Sequence, residues 1–173
     1  VLKGMAALAA QQSGGMPMLI DALGIVESRS LVLRLSRTTQ AAGAEFTDGM
    51  IVQGPTPEQP VRFLENGLQF QADLVRGQKT GFFLDQRDNR VQVARLSRNR
   101  TVLDGFAYTG ACSVYAARGG AREVTSMDAS RQALASAKAH LGMNRGITSI
   151  AKARHHTILG DAFKLLPKLR QEK

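Results

Sequence analysis

A single cysteine, no tryptophan and no long apolar run set the first limits on this chain. Cys112 alone cannot build an internal disulfide framework or a cysteine-ligated zinc site. A reducing, cytoplasmic setting fits such a chain. No apolar run approaches the roughly 20 residues that a membrane-spanning helix needs, so a membrane protein is not expected. With two Tyr, seven Phe and no Trp, the sequence argues against a broad platform for stacking bases. Acids are scarce as well: 14 Asp+Glu stand against 23 Lys+Arg, a formal charge of +9. That excess points to an anionic partner, RNA or DNA first, met through its phosphates. What remains is enough to bury a core: 43% of the 173 residues are apolar, which suits one ordinary domain or a small one joined to part of another.

The positive charge is unevenly placed. Arg76, Lys79, Arg87, Arg90, Arg95, Arg98 and Arg100 face only Asp85 and Asp88, and the stretch from Arg145 to Lys173 repeats the bias. Solvated helix faces account for such runs equally well.

Residues 1–60 carry the least pattern. Val1–Ala10 reads as a helix without its natural beginning, and Pro17 suits the first turn of a short helix through Leu23. Gly54–Pro60 is a turn-rich connector. Val61–Leu64 and Leu68–Leu74 alternate apolar and polar residues around Asn66-Gly67, a pair that tolerates positive φ, and this predicts a β-hairpin. Asp85 is expected to N-cap a basic helix running to about Arg98. Strands are predicted at Thr101–Phe106, Glu123–Met127 and Thr157–Leu159. Helices are predicted at Ala111–Arg118, closed by Gly119-Gly120, at Ser130–Leu141, and from Ala162 onward. That order implies a parallel sheet wrapped by helices, with ligands beyond the carboxyl ends of the strands.

The strand tips carry the chemistry. Gly105 and Gly110 bracket Phe106-Ala107-Tyr108-Thr109 after the first strand, a loop free to turn sharply and to approach a ligand. It matches neither the dinucleotide G-x-G-x-x-G pattern nor the phosphate-binding loop that ends in Gly-Lys-Ser/Thr. A purely structural turn would use the same glycines. Asp104 and Asp128 end the first two strands, and Asp161 follows the third. Asp128 can accept hydrogen bonds from both hydroxyls of a ribose. Asp161 can accept from an adenine amino group, with the backbone N–H of Ala162 facing a ring nitrogen. Each acid could instead cap the helix that follows it. Together the three outline a pocket for an adenosine with an amine-bearing tail and no pyrophosphate. S-adenosyl-L-methionine fits, with Asp104 meeting its ammonium group.

Arg76–Arg90 (Arg-Gly-Gln-Lys-Thr-Gly-Phe-Phe-Leu-Asp-Gln-Arg-Asp-Asn-Arg), Val102–Gly110 and Met127-Asp128-Ala129-Ser130 resemble the S-adenosylmethionine-dependent large-subunit rRNA methyltransferases of the cytosine-C5 type. The resemblance spans roughly residues 61–163. It implies a Rossmann-like class I methyltransferase fold, an α/β arrangement represented here by its first three parallel strands and flanking helices. Part of a small α/β domain with a β-hairpin would precede it: 1–75 for that partial domain, 76–173 for the cofactor-binding half. The resemblance implies that Lys79, Thr80, Phe82, Asp85 and Arg87 line the donor pocket beside Asp104, Phe106, Tyr108, Gly110, Asp128, Ser130, Asp161 and Ala162. It implies rRNA as the partner. Arg87 can orient a carboxylate such as that of methionine, and Phe82 or Phe83 can cover an apolar face or simply fill the core. The family's PUA domain, its Asp-Pro-Pro motif and its nucleophilic cysteine have no counterpart in residues 1–173. The chain is therefore expected to bind the donor without supplying a catalytic residue, with Cys112 a small packed side chain.

His155-His156 is a poor metal pair, because neighbours on a strand point to opposite faces. His140 reads as partly exposed packing and Asn144 as a helix terminator. Two other classes remain in view: a basic, non-catalytic RNA-binding module, and half of a nicotinamide-dependent dehydrogenase, which the glycine spacing disfavours.

Overall fold

Residues 30–35, 40, 46–58, 60–75, 77 and 81–171 are described by a computed structural model. The readings of Val1–Ala10 and Pro17–Leu23 lie outside the described residues, as do Arg76, Lys79 and Thr80. The chain divides into two packed units, one of Val1–Val61 with Ala72–Phe82 and one of Arg62–Gln71 with Phe83–Lys173. The hairpin residues Arg62–Gln71 group with Phe83–Lys173.

In the first unit, β1 (Leu31–Val32) pairs antiparallel with β2 (Ile51–Gln53). Arg34 fixes the chain beside them. Its Nε donates to Asp48 Oδ1 at 3.0 Å, Nη1 to the Leu74 carbonyl at 2.9 Å, and Nη2 to the Gly77 carbonyl at 2.7 Å.

The second unit opens on the expected hairpin, β3 (Val61–Glu65) and β4 (Leu68–Ala72). Asn66 (φ 51°) and Gly67 (φ 76°) both take the left-handed conformation, as a type I′ turn demands. A short 3-10 turn, Leu84–Gln86, leads into α1 (Arg87–Leu96). Asp85 lies within that turn and Gln86 takes the cap position, with no side-chain cap hydrogen bond from either. The 3-10 turn displaces the helix start by one residue, so the expected capping role of Asp85 is not realised.

The remaining elements alternate. β5 (Thr101–Gly105) precedes α2 (Ala111–Arg118), and β6 (Glu123–Asp128) precedes α3 (Arg131–Met143). A short α4 (Thr148–Lys152) leads to β7 (Arg154–Leu159), and α5 (Ala162–Gln171) follows. The three strands form one parallel sheet in the order β5-β6-β7. With flanking helices, this is the Rossmann-like α/β arrangement that the strand–helix order predicts. α2 lies over β5 and β6, and α3 lies over β6 and β7. The core between helices and sheet is built from small and branched residues: Val114, Ala116, Ala117, Val124 and Ala137 are wholly buried. Small side chains let the layers approach closely. Gly119, at the end of α2, lies so near the Ala94 carbonyl of α1 that a methyl group there has no room.

Two polar clusters join the hairpin to the helices of this unit. Arg90 is buried, and all its nitrogens donate: Nε to Glu65 Oε1 (2.8 Å), Nη2 to Oε2 (2.6 Å), and Nη1 to the Phe83 carbonyl (2.9 Å). Tyr115 Oη donates to the same Glu65 at 3.0 Å and accepts from Asn66 Nδ2 at 2.9 Å. Arg90 is therefore spent inside the fold and leaves the expected RNA-facing basic run. At the second cluster, Asn144 Oδ1 accepts from Gln69 N and its Nδ2 donates to Gln69 O, both at 2.8 Å. Gln71 N donates to His140 Nε2 at 3.1 Å. His140 is fully buried, which corrects the expectation of partly exposed packing. Its place on the stripe Ala133–Ala137–His140–Asn144 explains this, since residues three or four apart share one helix face. Asn144 does terminate α3, and its amide also continues the ladder of β4.

Candidate functional site

The carboxyl tips of β5 and β6 lie side by side because Asp104 pairs in register with Ser126 and Gly105 with Met127. The chain then turns through a strained loop. Phe106 (φ 58°) and Tyr108 (φ 50°) are non-glycine residues in the left-handed region, a conformation that costs of order 1–2 kcal/mol per residue and tends to persist where function requires it. Gly110 (φ 71°) takes the same conformation as the N-cap of α2. A Cβ on it would be driven into the Ala137 side chain and lie 2.8 Å from Ala137 Cα. Here glycine is required twice over.

Asp128 organises this loop. Its Oδ2 accepts from Tyr108 N and its Oδ1 from Ser130 N, both at 2.8 Å. It does not cap α3. That is done by Ser130, whose Oγ accepts from Ala133 N at 3.2 Å. Asp104 is held from its side by Ser113, whose Oγ donates to Oδ2 at 2.6 Å and whose backbone N–H also bonds to the carboxylate. Burial pushes the Asp104 carboxyl above its ordinary range. The Ser113 hydrogen bonds oppose that rise, and the neighbouring Asp128 charge adds to it. Among the described residues no Lys or Arg pairs with Asp104 or Asp128. Among the described residues the two carboxylate tips have no paired countercharge.

The third tip is more open. Asp161 is exposed, and its Oδ1 accepts from Phe163 N at 2.9 Å while its carbonyl receives Leu165 N at 3.0 Å. It thus does begin α5, the capping role that remained as its other reading. Ala162 is buried beneath it. Phe163 and Phe106 stand 76% and 60% exposed with ring centroids 5.4 Å apart, an aromatic pair between the tips of β5 and β7. On the other side of the loop, Phe83 packs edge-on against Tyr108 at 5.3 Å. Of the earlier group, Asp85 and Arg87 are exposed, and Phe82 is buried in the first unit. Lys79 and Thr80 lie outside the described residues.

Burial holds the Cys112 thiol at a pKa of about 11, with the Asp104 charge adding to the rise. It is protonated at neutral pH and unsuited to act as a nucleophile. His155 and His156 diverge: His155 Nε2 lies 2.9 Å from Ser126 Oγ, and His156 Nε2 lies 3.9 Å from Glu123.

Residues 20–171 match the family described as S-adenosylmethionine-dependent methyltransferase. The chain belongs to that family. A ribosomal RNA large subunit methyltransferase of Deinococcus radiodurans is 46% identical over 140 residues, covering 80% of this chain and 33% of its own length. A solved protein of Streptococcus mutans, described as a SAM-dependent methyltransferase, superposes with a TM-score of 0.62 at 32% identity over 71% of this chain and 32% of that one. A further methyltransferase structure, complexed with SAH, gives a TM-score of 0.61 at 32% identity over 70% of this chain and 31% of that one. The chain spans about a third of the length of the curated relatives it matches. S-adenosylmethionine is the donor of this family, and the uncompensated carboxylates at the strand tips of this member suit a ligand bearing ammonium and sulfonium charge.

Proposed function

We propose that this chain is the donor-binding part of an S-adenosylmethionine-dependent methyltransferase that modifies large-subunit ribosomal RNA, with C5 of a cytosine as the acceptor. The observation that carries the donor site is the pair Asp104 and Asp128, on adjacent parallel strand tips, joined by a strained loop and lacking any paired cation among the described residues. Desolvated carboxylates gain most from a ligand that brings positive charge. A pyrophosphate would be repelled there, which separates this site from that of a nicotinamide dinucleotide.

In this reading Asp104 meets the ammonium group, Asp128 the ribose hydroxyls and Asp161 the adenine amino group, with the Ala162 N–H at a ring nitrogen. Phe106, Tyr108, Gly110 and Ser130 shape the loop around them. Phe106 and Phe163 offer aromatic faces to a purine. Lys79, Thr80, Phe82, Asp85 and Arg87 complete the set on the strength of the sequence resemblance. When bound, the donor supplies an electrophilic methyl carbon on sulfur. The residues named here bind and orient it for in-line attack, and positioning of this kind is a large part of such catalysis. The RNA acceptor is supported by the names of the relatives and by the charge of +9. The cytosine C5 atom rests on the resemblance of residues 76–90, 102–110 and 127–130 alone.

Incubating a full-length protein that contains this chain and supplies the nucleophilic cysteine with tritiated S-adenosylmethionine and large-subunit rRNA, then digesting to nucleosides, tests both levels. The expected product is 5-methylcytidine. Label in another nucleoside removes the cytosine assignment, and donor binding without any transfer favours the basic RNA-binding module.

A further inference from the structure

Asp104 is the end of a buried chain of polar side chains that crosses the sheet. His155 Nε2 lies 2.9 Å from Ser126 Oγ, Ser126 Oγ lies 2.6 Å from Ser113 Oγ, and Ser113 Oγ lies 2.6 Å from Asp104 Oδ2. Ser113 and Ser126 are wholly buried. An ionised carboxylate only accepts, and this fixes every proton in the chain. Ser113 gives its hydroxyl hydrogen to Asp104 and so accepts from Ser126. Ser126, its own hydrogen committed, accepts from His155. His155 must therefore carry hydrogen on Nε2.

We propose that Ser113, Ser126 and His155 form a positioning chain that orients the Asp104 carboxylate toward the ammonium group of the methyl donor. The proposal rests on the donor-site reading above and adds three residues to it, none of which touches the ligand. Each occupies a different element: His155 on β7, Ser126 on β6 and Ser113 on α2. The chain acts on the carboxylate rotamer through the 2.6 Å hydrogen bond from Ser113 Oγ to Asp104 Oδ2. A buried polar chain is costly unless every member is satisfied, and Ser113 and Ser126 are both wholly buried. Hydroxyl-for-methyl replacement within it leaves the fold's apolar contacts in place.

The test compares two ligands in the full chain by calorimetry. S-adenosylhomocysteine carries the ammonium group, whereas 5′-methylthioadenosine presents the same nucleoside without the amino-acid tail. Ser113→Ala is expected to weaken S-adenosylhomocysteine roughly 10–150-fold, the scale of one lost hydrogen bond to a charged group, and His155→Leu, further back in the chain, to weaken it in the same direction by less. Methylthioadenosine should change less than about twofold, a selectivity that general loosening of the fold does not produce. His155→Gln retains an N–H donor and should restore affinity relative to His155→Leu. Equal losses for both ligands, or no loss for either while Asp104→Asn loses S-adenosylhomocysteine selectively, overturn the chain and leave the donor site standing. An Asp104→Asn variant that binds S-adenosylhomocysteine normally removes the ammonium assignment itself, and the chain with it.

Discussion

Two buried polar networks lie within one unit of this molecule, and they end differently. The Glu65–Arg90–Tyr115–Asn66 network closes on itself: acid meets base in two parallel hydrogen bonds, and the phenol and amide take the remaining capacity. The His155–Ser126–Ser113–Asp104 network meets no base at its acidic end among the described residues. It stops at a carboxylate beside a second carboxylate, on the tips of parallel strands. A closed network specifies a fold, whereas an open one is completed by something that arrives. That contrast is what supports the proposed donor site at Asp104 and Asp128.

The comparison breaks most visibly at Arg90. Arg90→Leu strands the Glu65 carboxylate in the interior and is expected to cost about 3–5 kcal/mol of stability in a urea titration. Donor affinity of the molecules that remain folded should be unchanged. Asp128→Ala should show the reverse pattern, weakening S-adenosylhomocysteine by about 1.5–3 kcal/mol in calorimetry, with a smaller effect on the denaturant midpoint. Gly110→Ala sharpens the boundary between them. It forces a side chain into a left-handed position against Ala137 and should lower stability by about 1–2 kcal/mol from the backbone alone. Donor binding should fall with it, because the loop moves.

The elements that position the site were legible because each is long enough to show a period. The three parallel strands, α2 and α3 appear within a few residues of their expected bounds, and the hairpin turn sits on Asn66-Gly67 as its chemistry requires. β1, β2 and the five-residue α4 were not legible, since two to five residues carry no measurable period. The tip acids Asp104 and Asp128 could be read from their order along the chain. The side chains behind them could not. Ser113, Ser126 and His155 are ordinary in sequence and meet only in the fold, where strand register sets Asp104 against Ser126 and His155 against Val124, two residues before Ser126. His140 did leave a signal, a polar residue on an otherwise small and apolar helix stripe.

Acid provides the smallest test of the comparison. Burial holds His140 below its ordinary 6.5, opposed by its ring nitrogens' contacts with the Thr109 and Gln71 carbonyl oxygens. Burial, with the Lys138 charge, lowers His155 to about 4. Both bind protons more readily in the unfolded chain, so their contribution is present above pH 6.5 and is lost as the pH falls, through about 4 in the case of His155. Asp104, raised above its ordinary 3.8, acts in the opposite direction just above that value. Melting temperatures should therefore decline from pH 6.5 downward, and His140→Gln should flatten that slope.

A crystal structure with S-adenosylhomocysteine tests the central claim most directly. The account predicts the ribose hydroxyls within hydrogen-bonding distance of Asp128 and the ammonium group against Asp104, whose carboxylate keeps its bond to Ser113. A ligand bound away from the tips of β5 and β6, or one whose amino group faces elsewhere, contradicts it.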